Sequence, residues 1–221
     1  FTRASTASYY DGKTYAKAEE NLLIRSQEFQ SSWSAQLVSV TSNDVVAPEG
    51  TTTADTVTED NSASIHRIRQ GLSVSGTLTL SVFAKAGTGS RFLTIGVNNS
   101  TANYASATFD LSAGTNTQTL VNGTYSSQSA AITSVANGFY RCSLTVTTDT
   151  VSGALIGLSA TSTFSSGSRG FESYTGDGSS SIVLWGAQLE QRDTLTAYTP
   201  TTDQPITNYI PALQTASAGE A

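Results

Sequence analysis

The chain has 221 residues, 38% hydrophobic and only 13% charged, with a net charge of −6, a length sufficient for one generous domain or two small ones. The charged fraction is well below the roughly 25% of an average soluble domain, and the deficit is filled by Ser, Thr, Asn and Gly, which suit short strands and tight turns better than helices. Lysines only at Lys13, Lys17 and Lys85 leave no basic stripe for nucleic acid, lone Cys142 excludes an internal disulfide or cysteine-based zinc site, and no apolar run approaches the roughly 20 residues that span a bilayer.

The chain opens on Phe1, as expected of a processed product or a piece of a longer protein. Residues 1–20 show no sustained alternation and read as an N-terminal arm, with a turn at Asp11-Gly12 and three tyrosines, Tyr9, Tyr10 and Tyr15, suited to lie on a neighbouring subunit or on the domain itself. The domain is expected over residues 21–198. Two early strands are predicted, Asn21 to Phe29 and Trp33 to Val40. The Pro48-Glu49-Gly50 turn follows, then short strands over Ala54 to Thr58 and Ile65 to Gln70 around a polar loop.

Thr77 to Lys85 alternates as a half-buried strand, with Leu78, Leu80, Val82 and Ala84 on one face. Phe92 to Val97 and Tyr104 to Leu111 follow, then weaker segments at Thr115 to Leu120 and Ser129 to Val135. Asn137-Gly138 is the strongest hairpin signal, and behind it Tyr140, Cys142, Leu144 and Val146 point one way while Arg141, Ser143, Thr145 and Thr147 point the other. Leu155 to Ala160 is the next strand, leading into a Ser/Gly loop over Thr161 to Gly170.

The strongest segment is SYTGDGSSSIVLWGAQLEQ, Ser173 to Gln191: a turn at Asp177-Gly178, then a strand apolar on both faces, as a central strand must be. Gly186, next to Trp185, predicts a bulge or a close approach to the indole. Residues 199–221 hold Pro200, Pro205 and Pro211 and read as an extended C-terminal tail. Strands at intervals of roughly 8 to 12 residues, without crossover helices, predict an all-β, antiparallel sandwich and exclude parallel βαβ units.

Chemistry is sparse. His66 is the only histidine, in SIHRIRQ, and there is neither a GxSxG elbow nor a histidine pair for a metal. His66 is expected to be a strand histidine satisfied by a neighbour, and Cys142 a core thiol. The acid pairs Glu172 with Asp177, Glu59 with Asp60 and Glu190 with Asp193 read as solvated loop acids ahead of a glycosidase pair. Aromatic rings among polar neighbours are the residue types of sugar recognition, and Phe83, Phe92, Tyr104, Tyr140, Tyr174 and Trp185 could share one face, against core packing as the competing role. Arg141, on the polar side of its strand, is the first candidate for ligand contact, or else pairs across the sheet with an acid.

The ordered series ENLLIRSQEF, Trp33, APEGTTTADTVTE, SGTLTLSVFAKAG, NGFYRCSLTVT, SYTGDGSSSIVLWGAQLEQ and AYTPTT resembles a module recurrent in bacteriophage virion proteins, in tail fibres and in fibres or decorations of the head, and FTRASTASYYDG is similar to the segment that often leads into it. The likeness covers nearly all of residues 1–202. It implies a jelly-roll sandwich related to carbohydrate-binding modules and a non-enzymatic virion structural protein exposed on the particle. Partners implied are other virion proteins through arm and tail, a homotrimeric assembly, and host-surface or environmental glycan, for which the strand reading offers Arg141, Tyr140, Trp185 and Tyr174 as candidate contacts. A carbohydrate-binding module of a secreted or surface protein is the alternative, and a glycan depolymerase the remote one. Many such modules hold a structural calcium between the opening and closing strands. Glu28 stands at the opening position, but the closing strand has Trp185-Gly186-Ala187-Gln188 where acids are usual, leaving only Glu190, whereas Ca²⁺ takes six to eight oxygens. No other cofactor is implied.

Overall fold

Two long strands frame the molecule: β6 (His66–Ala86) and β11 (Tyr140–Ser159) pair along almost their whole lengths and enter both layers of a sandwich. The computed structural model describes residues 17–165 and 168–209. Before β6 come β1 (Lys17–Asn21), β2 (Ser34–Gln36), β3 (Val38–Val46), β4 (Thr52–Glu59) and β5 (Ala63–Ser64). Between β6 and β11 lie β7 (Phe92–Asn98), β8 (Tyr104–Asp110), β9 (Thr115–Asn122) and β10 (Ser126–Ser134), and after β11 come β12 (Tyr174–Thr175), β13 (Ser181–Glu190) and β14 (Ile206–Tyr209). Every pairing is antiparallel, and the only helical geometry among the described residues is two 3₁₀ turns, Ala136–Gly138 and Ser168–Gly170.

The first layer runs β3, β4, β13, the second half of β6, the first half of β11, then β10. The second runs β2, the first half of β6, the second half of β11, then β7, β8 and β9. The paired long strands pass from one layer to the other where the register slips, between Thr148 and Gly153. Such slips sharpen the local bend and twist of a sheet. One hydrophobic core fills the space between the layers: Leu78, Leu80, Val82, Cys142 and Leu144 from the first meet Ile68, Ile95, Ile156, Leu158 and Phe109 from the second. The all-β antiparallel sandwich expected from the spacing of strands is the observed fold.

Several segments differ from expectation for stateable reasons. Ile65 to Gln70 and Thr77 to Lys85 are one strand, as are Tyr140 to Thr147 and Leu155 to Ala160, because the polar, glycine-containing stretches between them face one another and stay paired. Asn21 to Phe29 is not a strand. Beyond β1 the chain turns, with Arg25 at φ 49°, while Leu23 and Phe29 remain fully buried. The segment Trp33 to Val40 divides into β2 and β3 at Leu37, which sits at φ 54°.

The stretch from residue 199 onward is tied to the body as far as it is described. Thr199 N–H donates to Gln188 Oε1 (2.7 Å), Thr201 N–H to Ser26 Oγ (2.9 Å), and β14 pairs with β1, Asn21 facing Ile206 and Lys17 facing Tyr209. Asn21 latches this closure: its amide donates to Ala187 O and Thr199 O (both 2.9 Å) and its carbonyl accepts from Leu23 N (3.1 Å) and Leu189 N (3.2 Å). Extended chain with prolines lies flat on the sandwich wherever side chains supply the missing hydrogen bonds. Tyr9, Tyr10, Tyr15 and Pro211 lie outside the described residues.

Candidate functional site

Trp185, Tyr174, Tyr140 and Arg141 do not share one face. β13 is buried along its whole length between β4 and β6, but the register slip between Trp185 and Gln188 reverses its parity. Ile182, Leu184, Ala187 and Leu189 therefore enter the core, while Val183 and Trp185 join a second cluster with Phe83 and Phe139 on the outside of the first layer. Gly186 makes the slip possible. It takes φ +59°, and a Cβ there would lie 3.0 Å from the Phe83 ring and 3.1 Å from Tyr198.

Trp185 stands edge-on to Phe83 (5.2 Å between centroids) and tilted against Tyr198 (4.8 Å), with its Nε1–H donated to Thr53 Oγ1 (3.1 Å). Arg141 covers the Phe83 ring at 5.0 Å and donates to Thr196 O (2.6 Å) and Ser81 Oγ (3.1 Å). Burial draws the Arg141 guanidinium below its ordinary value, with the nearby Glu190 carboxylate opposing. Arg141 thus clamps the 190s segment onto the sheet through carbonyl and hydroxyl oxygens, not through an ion pair with an acid. Tyr140 packs against the core from the other side of its strand. Phe92 and Tyr104 stand on β7 and β8 of the second layer, far in the topology from Trp185.

Tyr174 belongs to a separate polar cluster at the end of β4. Glu59 is 2% exposed and accepts two bonds from Arg91 (2.8 and 2.6 Å), one from the Tyr174 hydroxyl (2.5 Å) and one from Asp177 N (2.8 Å). Arg91 also reaches Asp177 (3.0 Å), whose carboxylate caps the turn by accepting from Ser179 and Ser180. Burial alone raises the Glu59 carboxyl, but these donors outweigh it and hold it below its ordinary value; burial and the Glu59 acceptor push the Tyr174 phenol up. The reading of Glu59 as a solvated loop acid is therefore wrong, and so is that of Glu190. Glu190 is fully buried at the end of β13 and accepts from Thr196 N (3.2 Å) and Thr196 Oγ1 (2.5 Å).

His66 packs on Tyr174 at 4.6 Å between centroids, with Nε2 3.5 Å from Asp60 and neither ring nitrogen hydrogen-bonded. Among the described residues the expected satisfying neighbour is absent. Cys142 is fully buried in the core, and burial pushes its thiol up, out of the reactive range.

The two acids that the resemblance offers for calcium are both engaged with other partners. Glu28 is paired with Arg25 at 2.9 Å, Glu190 accepts from Thr196 and lies 3.6 Å from Arg192, and no group of three His, Cys, Asp or Glu side chains placed to hold a metal occurs among the described residues. Asp55, which sequence reasoning passed over, is the acid at the opening turn. It is 1% exposed and binds the amides of Phe29 and Asn43, both at 2.9 Å. Burial raises its carboxyl despite those two donors.

One open cleft of about 210 Å³ adjoins the Glu59 cluster, lined by Gly87, Ser90, Arg91, Phe92, Asp110 and Ser112 among others. It offers hydroxyls, one carboxylate, one guanidinium edge and one ring, a lining suited to a small polar ligand. No protein-family model matches the chain, and no curated protein matches it.

Proposed function

We propose that the chain is a non-enzymatic structural protein of a bacteriophage particle, a fibre or decoration of the head or tail that attaches and does not turn over substrate. The observation carrying this reading is that the buried carboxylates described above hold the frame together. Glu59, Glu190 and Asp55 bind Arg91, Thr196 and backbone amides. A general acid or base must instead keep a free edge within reach of a substrate. The resemblance of ordered motifs supports the same reading, since residues quoted for it, Asn21, Phe29, Trp33 and Trp185, build the closure and its aromatic seams.

Such a protein meets other virion components through its flanking segments and meets glycan through its hydroxyl-rich surface; the cleft beside Arg91 supports the glycan contact. Assembly as a trimer would cover the exposed edge strands β3 and β9, which a monomer leaves open to pairing. Immunogold labelling of gradient-purified particles tests the assignment. Label on particle projections is expected, and chain confined to the particle-free fractions overturns it. Sedimentation at three times the 23.0 kDa chain mass is expected, and monomers alone at micromolar concentration remove the trimer.

A further inference from the structure

The outer face of the second layer carries three arginines that nothing in the described protein neutralises. Arg67 and Arg69 project from β6 on the parity opposite to core residue Ile68, and Arg169 lies in the loop that crosses this face. Arg67 is only 7% exposed. Its Nε–H is donated to Gln36 Oε1 (3.0 Å), while its Nη1 is buried with no partner. Arg69 lies flat over the next strand: a Cβ on Gly153 would fall 2.5 Å from Nε and 2.7 Å from Cζ. Its Nη2 donates to Ser152 O (2.7 Å), and its Nε is unpartnered.

Among the described residues no carboxylate comes within ion-pair distance of Arg67, Arg69 or Arg169, although the chain has 17 acids and a net charge of −6. Burial, and then the Arg169 and Arg69 charges, bring the Arg67 guanidinium down to about 10. Buried cations normally come with a counter-charge. Guanidinium groups on one face that lack a counter-charge match the carboxylate of a ligand.

We propose that Arg67, Arg69 and Arg169 form an oxyanion site for the carboxylate of an acidic saccharide. The proposal rests on the attachment reading above and gives it a ligand class. Its test is titration of the whole chain with a glucuronate-containing oligosaccharide, its neutral glucose counterpart and sodium sulfate, followed by calorimetry and by NMR of the arginine Nε–H signals. The expected result is binding of the uronate with shifts at Arg67 and Arg69, at least tenfold weaker binding of the neutral sugar, and at least tenfold loss in Arg69→Gln with an unchanged circular dichroism spectrum. If Arg69→Gln does not fold, the wild-type Nε–H shifts decide alone.

Sulfate binding as well as the uronate, or without it, means an adventitious ion only and overturns the proposal. Neutral-sugar binding that leaves the arginine signals unmoved overturns it too, while leaving the attachment reading intact. Failure of the attachment reading shows instead as absence of the chain from purified particles.

Discussion

Two groups of arginines in this molecule are treated in opposite ways. Arg91, at the end of the sandwich, is matched bond for bond by Glu59 and Asp177, with Tyr174 and the Asp177 amide filling the remaining positions on Glu59. Arg67 and Arg69, on the outer face of the second layer, keep buried nitrogens without partners and repel one another. The chain has 17 acids, so supply of carboxylate does not explain the difference. A network that uses up its hydrogen-bonding capacity serves the fold, whereas one that leaves donors idle gives up stability and is open to a ligand.

The comparison is broken most directly at Arg91. Arg91→Met leaves the fully buried Glu59 carboxylate without its bidentate partner and is expected to cost about 3 to 5 kcal/mol in urea unfolding. A loss below about 1 kcal/mol would place Glu59 in water and dissolve the contrast. Next in size is Asn21→Ala. It removes four hydrogen bonds to buried backbone groups of three separate segments and is expected to cost about 2 to 4 kcal/mol. Hydrogen exchange should show the β1–β14 ribbon and the 199–201 segment opening first. Protection there equal to wild type contradicts the latch.

These networks also mark how far the sequence could be read. β13 announces itself, because a ten-residue strand buried on both faces has to be apolar throughout, and the Asp177-Gly178 turn fixes where it begins. Its internal reversal is harder. Gly186 signals a bulge, but only the pairing with β6 shows that Ala187, and not Gln188, follows Leu184 onto the core face. Each long strand reads as two segments because a polar, glycine-containing stretch interrupts its apolar alternation. Gly71 faces Gly153 and Gly76 faces Thr148, so the two weak stretches bend together as a pair.

Buried acids were invisible for a different reason. Glu59 gains its partners from positions 91, 174 and 177, and no local pattern links them. Arg67 and Arg69 stand in plain view in SIHRIRQ, two residues apart. The signal there was alternation itself: two cations at i and i+2 on a strand share one face, and Ile65 and Ile68 show that the strand is buried on both.

Smaller effects sharpen the contrast. Gly186→Ala places a Cβ at φ +59° against Phe83 and Tyr198 and is expected to cost about 1 to 3 kcal/mol, with a change in tryptophan fluorescence as Trp185 shifts. Unchanged stability and emission would mean that the bulge is not needed to seat the indole. The Glu59 cluster should also show in the pH dependence of stability. Its carboxyl is held below its ordinary 4.5 in the folded protein, so the stabilisation it contributes is complete above that value and is lost as pH falls through the folded pKa. Glu59→Gln should therefore flatten the acid limb of the stability curve below about pH 4.5 relative to wild type. Parallel acid limbs in the two proteins would show that the carboxylate carries no such role.

The smallest effect is expected at the other arginine group, and there the sign matters more than the size. Arg67→Met keeps the aliphatic packing against Gly157, gives up one bond to Gln36, and removes a buried charge that has no carboxylate and two like neighbours. Exchange of a poorly compensated buried ion for an apolar side chain of similar length is often neutral or stabilising. The unfolding free energy should therefore stay within about 1 kcal/mol of wild type, or rise. A loss as large as that at Arg91 would mean that Arg67 is satisfied and structural, and the two groups of arginines would then be the same kind of device.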